Sequence, residues 1–336
     1  MIHATAYRRA YLLLRLGLRL TPALLLLFLA GTCAPPPERT NYAGLHVAES
    51  LGRLDLNNGD DPILTYWTEP QLPAGLPEHY TRSGFIHPLR SPAGLVLTDD
   101  FPAGYAHQHG LFTAWANTTF RDTFVDFWNT HKDLATVSHA HTAQVYAKDD
   151  YAGFRAVVEH RSHVHQGMTV LREELYVRAN PYRGVNVVDL RSWQTNVTTD
   201  TLHLNKHLYG GLGLRGSKHW NPADSLHFTG PARFLTDEGK DLATANHTRP
   251  RWTAIYGELP GGSGGIAIIP HPDNPRFPQS VRVHPELPYF SVSPVVIGPA
   301  AIAPGEVMAN RYRIVLFDGE PPVALLDELA GKAASE

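Results

Sequence analysis

Residues 169–193 read TVLREELYVRANPYRGVNVVDLRSW. Two runs in it, 169–177 and 184–193, are rich in Val, Leu, Tyr and Trp and carry no helical period. They flank Asn180-Pro181-Tyr182, a turn signal, so the stretch predicts two antiparallel strands. Side chains two apart in a strand share a face, which puts Arg172, Glu174 and Tyr176 together. Glu174 then either joins a structural ion pair or meets a ligand.

The same signal repeats in both directions. Leu54-Asp55-Leu56 and 63–67 flank Asn57-Asn58-Gly59-Asp60, whose Asn and Gly tolerate positive φ. Segments 143–147 and 154–158 flank Lys148-Asp149-Asp150. Further strands are predicted at 196–205, 251–257, 265–269, 289–293 and 309–317. With 28 glycines and 27 prolines for turns, and no repeat or linker, residues 45–320 read as one all-β domain, a large antiparallel β-sandwich. The exception lies at 321–336. Behind Pro321-Pro322, residues 323–334 set Leu325, Leu326 and Leu329 on one face and predict a short C-terminal helix. Hydrophobic content of 43% against 18% charged residues excludes a disordered chain. Basic runs interleaved with aromatics are absent from the sequence, so no nucleic-acid partner is expected.

The first forty residues read as an address. Arg8, Arg9, Arg15 and Arg19 precede an apolar run at 20–30, too short to span a bilayer of about 20 residues per helix. Cys33, the single cysteine, follows Leu29-Ala30-Gly31-Thr32, a loose form of a bacterial lipobox. Residues 1–32 are therefore expected to be a lipoprotein signal peptide, Cys33 the lipidation site and 33–44 a tether. The expectation is an exported, membrane-anchored lipoprotein facing the periplasm or the cell surface, held to the membrane through its lipid.

Four stretches hold the side chains suited to chemistry. The first joins Phe85-Ile86-His87-Pro88-Leu89 to Tyr105-Ala106-His107-Gln108-His109-Gly110. If 105–109 is extended, His107 and His109 face the same way and form an acid/base pair, or share a metal with a third ligand. Gly110 allows close approach of another backbone or a ligand. The second, Asp126-Phe127-Trp128-Asn129, sets aromatics beside short polar groups, which suits either a sugar face or the core. The third runs 204–215, where Gly210, Gly211 and Gly213 read as strand kinks, and Lys206, His207, Tyr209 and Arg215 are spaced to reach a cleft. The fourth, 264–278, is a buried strand ending in a proline-stiffened loop with His271, Asp273 and Asn274.

In order and spacing these stretches resemble the PmoA-like family, a domain of unknown function found in exported bacterial proteins. The resemblance covers roughly 50–320 and extends to Arg311-Tyr312-Arg313 ahead of Asp318-Gly319. One departure stands out. Gly104 and Tyr105 replace the Asp and first His of the family's usual Asp-His-Pro-His segment, while His107, Gln108 and Gly110 are kept. The resemblance implies a galactose-mutarotase-like supersandwich, a fold shared by sugar epimerases, glycosidase domains and polysaccharide lyases, with sites on the concave sheet. Methane oxygenation, which the family label suggests, is not expected, since several apolar segments of about 20 residues are missing from the sequence.

The leading expectation is a carbohydrate lyase, hydrolase or epimerase. His107 and His109 would be its acid/base pair, Arg215 would hold a carboxylate or oxyanion, and His207 would support them. His87, Trp128, Asn129, Lys206, Glu174, Asp273 and Asn274 would bind the carbohydrate ligand. The first alternative is a non-catalytic glycan binder with Tyr105, Trp115 and Trp128 as stacking platforms. The second is an enzyme with a divalent metal on His107 and His109. The sequence names no other cofactor, and no pair of carboxylates stands out as a glycosidase motif.

Overall fold

The computed structural model describes residues 44–333. The expected signal peptide, Cys33 and nearly all of the expected tether lie outside the described residues. Two eight-stranded antiparallel sheets carry the domain. The first runs, in spatial order, Leu45–Ser50, Arg53–Asn58, Asp61–Trp67, Phe85–Leu89, Leu111–Ala114, Gly211–Arg215, Tyr289–Val292 and Val281–Val283. The second runs Arg233–Thr236, Thr253–Leu259, Gly262–Pro270, Val307–Asp318, Val185–Asn196, Met168–Tyr182, Ala152–Ser162 and Ala135–Ala147. A small four-stranded sheet holds Ala300–Ile302, Leu202–Leu204, Thr118–Phe120 and Thr123–Val125.

The predicted all-β sandwich with a terminal helix is the observed fold. Its hairpins follow local chemistry. Gly59 turns Arg53–Asn58 into Asp61–Trp67 at φ 58°. The long hairpin differs in one detail. The strand continues through Pro181 to Tyr182, and the turn is Arg183-Gly184, at φ 49° and 83°. Two successive positive φ values match the twist of the flanking strands, which an Asn-Pro-Tyr turn does not. The region 196–205, expected as one strand, keeps only Leu202–Leu204.

Apolar faces of the two sheets meet in one core. Leu54, Tyr66, Phe85 and Leu214 from the first sheet join Phe154, Leu171, Ile266 and Ile314 from the second. A second apolar cluster lies on the opposite face of the second sheet. There Leu325, Leu326 and Leu329 of the helix Val323–Ala333 cover Val187, Ile269, Val315 and Phe317. Burying those leucines on one stripe explains why a short segment holds its helix.

The core also contains charge. Glu173, buried between Leu171 and Leu175, accepts hydrogen bonds from His160 Nε2 (2.8 Å), the Thr113 hydroxyl (2.7 Å) and Gln194 Nε2 (3.2 Å). Burial alone would raise its pKa, but the bonds and charge from His160 outweigh that and hold it below the usual carboxylate range. Arg82, also fully buried, donates to the Thr113 carbonyl oxygen at 3.1 Å and feels the charge of Glu173. The Thr113 bond crosses from one sheet to the other and ties them together, while His160 and Gln194 reach Glu173 from the neighbouring strands of its own sheet.

Candidate functional site

The segment Phe101–Gly110 departs from the extended reading. Tyr105 N–H donates to the Pro102 carbonyl and Gln108 N–H to the Tyr105 carbonyl, so the chain makes consecutive turns. The Pro and Gly in this segment favour turns over a strand. His107 and His109 consequently do not share a face. His109 is fully buried, stacked on Phe85 at 4.7 Å and edge-on to Phe101 and Phe112. Its Nδ1 meets Asp100 at 2.7 Å, and burial drives its pKa well down. His107 instead lines a cleft. The expected two-imidazole pair, as acid/base partners or as metal ligands, is corrected by this turn. Among the described residues no three His, Cys, Asp or Glu side chains group as a metal site.

Alternation locates the cleft. Thr113 points to Glu173 of the second sheet, so Phe112 and its cross-strand partner Gly213 face away from it. Ser291, opposite Gly213, and the Arg215–Tyr289 pair face the same way. This outward face of the first sheet is covered by the segment 126–132. Asp126 organises that segment by accepting N–H bonds from Trp128 (3.1 Å) and Asn129 (2.9 Å), and Lys132 Nζ reaches it at 2.7 Å. Trp128 lies so close over Gly213 that a Cβ there would be 2.6 Å from the indole. Close approach, rather than a kink, is why position 213 is glycine. Gly110 has the same role, since a Cβ would collide with the Ile86 carbonyl oxygen.

The resulting cleft of about 290 Å³ is lined by Tyr105, His107, Gln108, Trp128, Asn129, His131, Tyr209, Arg282, His284 and Tyr289. His107 packs edge-on against Tyr105 and His131, with ring centroids 6.1 and 5.3 Å away. Burial first, then the charges of His131, Arg215 and Lys132, lower its pKa to about 4 against a partial pull from Asp126. It is therefore a neutral imidazole at pH 7. His284 Nδ1 accepts the N–H groups of Glu286 (3.2 Å) and Leu287 (3.1 Å), which places the ring proton on Nε2. Burial lowers its pKa as well. Arg215 lies beneath the cleft, fully buried, with Nη1 donating to Gln108 Oε1 at 2.9 Å. Burial lowers its pKa to about 10, partly offset by Asp99.

The structure thus brings His107, Trp128 and Asn129 together at the cleft and Arg215 directly below it. His207 stands behind, edge-on to the cleft residue Tyr209 at 4.5 Å. The other expected binding residues lie elsewhere. His87 bonds the Thr98 hydroxyl at 3.0 Å and does not line the cleft. Lys206 is exposed outside it. Glu174 sits on the far face of the second sheet, 3.6 Å from Arg155 and bonded by the Tyr176 hydroxyl. Asn274 clasps the Arg311 main chain from both ends of its amide, at 2.8 and 2.7 Å, and the neighbouring Asp273 is 3.4 Å from Arg311 Nη1. Trp115 is buried and donates to Gln194. Sequence reasoning passed over His131, Arg282, His284 and Tyr289. The available signals were His131, two residues after the quoted Trp-Asn pair, and the Arg-Val-His triplet at 282–284.

Comparison with known proteins gives a family. A model described as a family of unknown function, DUF6807, matches residues 53–331. The chain belongs to this family. The match carries no methane-oxygenase label. No curated protein matches the chain. Among solved structures, the DUF6807 chain is similar to the Slr1438 protein of Synechocystis sp. PCC 6803, at 9% identity and a TM-score of 0.37, over 82% of this chain and 95% of that one. It is also similar to a galactose mutarotase-like protein of Lactobacillus casei, at 8% identity and a TM-score of 0.32, over 81% and 100%. A third likeness is to the GH36 alpha-galactosidase AgaA of Geobacillus stearothermophilus, at 10% identity and a TM-score of 0.32, of which this chain spans 40%.

Proposed function

We propose that this DUF6807 protein is an exported, lipid-anchored enzyme acting on a sugar or glycan, with His107 as its general base. The observation that carries the reading is the state of His107. It lines the cleft, makes no hydrogen bond to protein among the described residues, and is neutral at pH 7. A neutral imidazole facing a ligand can take a proton from a hydroxyl or from a carbon beside a carbonyl. His284, with its proton on Nε2, faces the same space as a donor. Tyr105 and Tyr209 offer partly exposed aromatic surface to the apolar CH face of a sugar ring. The lining holds no Asp or Glu, which argues against two-carboxylate glycoside hydrolysis. The resemblance to PmoA-like proteins and to mutarotase-type folds belongs to this proposal.

His107→Ala is expected to lower turnover of the wild-type glycan substrate by about 10²–10⁴, the usual contribution of a general base. Its melting temperature should stay within a few degrees, because the His107 ring makes edge contacts with Tyr105 and His131 but no hydrogen bond among the described residues. A glycan panel read by reducing-end and mass-spectrometric assays checks this. Binding without turnover by the wild type would favour the glycan-binder alternative. The anchor is tested separately. Cys33→Ser should move the protein from the membrane to the soluble fraction, and unchanged membrane association would remove that part of the proposal.

A further inference from the structure

We infer that the cleft takes a carboxylate-bearing sugar, a uronate unit of an acidic glycan, a conclusion that rests on reading it as a sugar site. The reason is a surplus of donors. A neutral sugar presents hydroxyls that both donate and accept, so its site needs acceptors as well as donors. Here the side-chain amide acceptors are already engaged, and the imidazole of His107 is the free acceptor facing the space. Asn129 Oδ1 receives the Tyr209 hydroxyl at 3.2 Å, and Gln108 Oε1 receives Arg215. That second bond leaves the Gln108 amide NH₂ as the group available to the cleft. His284 offers Nε2–H, and the buried Tyr289 hydroxyl has no hydrogen-bond partner of good geometry. Arg282 lines the cleft and uses Nη1 on Asn246 Oδ1 (3.0 Å) and the Val283 carbonyl (2.9 Å), which leaves Nε and Nη2 outside those two bonds.

Charge points the same way. Arg215 is buried with Nε and Nη2 unpartnered, and among the described residues it makes no ion pair. A buried guanidinium that feels Asp99 only from beyond ion-pair distance is costly, and unsatisfied buried donors call for an unseen partner. Its field reaches His107 and His284, two lining residues, so a negative charge at bonding distance is best supplied from the cleft. One planar carboxylate suits a cleft with one guanidinium in its wall and one beneath its floor. No lysine lines the space, as a dianionic phosphate would favour.

The test is calorimetric titration of the mature protein with trigalacturonate and with α-1,4-galactotriose, its carboxyl-reduced counterpart, at fixed ionic strength. Trimannuronate and triglucuronate with their reduced forms serve as further pairs. The acidic member of at least one pair should bind about tenfold tighter or better, a difference of about 1.4 kcal/mol. In Arg282→Gln, with the melting temperature unchanged, the ratio within that pair should fall to about twofold. Equal or weaker binding of every uronate overturns the inference while leaving the sugar reading standing. A preference untouched by Arg282→Gln overturns the assignment of this cleft. Failure of all six ligands to bind also overturns it, and turnover of neutral glycans then decides the sugar reading alone.

Discussion

Replacing Glu173 by alanine is expected to destabilise the fold by about 3–5 kcal/mol, as for other buried charges left without a partner. Glu173 is the carboxylate against which His160, Thr113 and Gln194 all close, and its negative charge acts on buried Arg82 more strongly than that of Asp100. Its removal leaves a cation and several donors unsatisfied between two sheets. Glu173→Leu combined with Arg82→Met should recover a large part of the loss, because the cost lies in the orphaned partner. Equilibrium urea unfolding of the single and double variants reads both effects. A loss below about 1 kcal/mol for Glu173→Ala, the range of surface ion pairs, would contradict the account of the core.

Acidification should produce the other large effect. His87 and His107 each have pKa values lowered from 6.5 to about 4, chiefly by burial, and part-buried His139 behaves alike. A group depressed in the folded state stabilises fully above its unfolded pKa and loses that contribution as pH falls toward the folded value. The window is therefore pH 6.5 to 4, and each well-buried imidazole contributes up to about 3 kcal/mol. Asp99 opposes this. Burial raises its pKa to about 6, so it favours the folded state as pH drops. His109 and Asp100 share one short bond and shift in opposite directions, so their contributions oppose each other. The net expectation is a loss on the order of 3–5 kcal/mol between pH 7 and 4. His87→Gln should flatten that slope and Asp99→Asn should steepen it. A stability independent of pH across this window would contradict the burial of these rings.

The strands were legible because alternation and turn chemistry act locally. Alternation also held a signal for Glu173, which the sequence reading passed over. Once Glu174 is placed with Arg172 and Tyr176, its neighbour must share a face with Leu171, Leu175 and Val177, and an acid there is a buried acid. The cleft was half legible. His107, Trp128, Asn129 and Arg215 stand in motifs that caught the eye as sequence, and they meet. The 101–110 loop was misread because His-x-His suggested a strand, while the turns made by Pro102 and Tyr105 carbonyls decided otherwise. Arg282, His284 and Tyr289 could not be placed at the cleft for a nonlocal reason. Sheet order sets the strand Tyr289–Val292 beside Gly211–Arg215, some 75 residues earlier in the chain. No local pattern encodes that pairing.

The measurement that bears most directly on the central claim is hydrogen–deuterium exchange of the mature protein, alone and with the oligosaccharide it binds most tightly. Ligand should protect three separated segments together, 101–110, 126–132 and 282–289, and should leave the charged outer face around Arg178, Asp189 and Arg313 unchanged. Protection confined to that outer face, with the three segments exchanging as before, would contradict the assignment of the cleft.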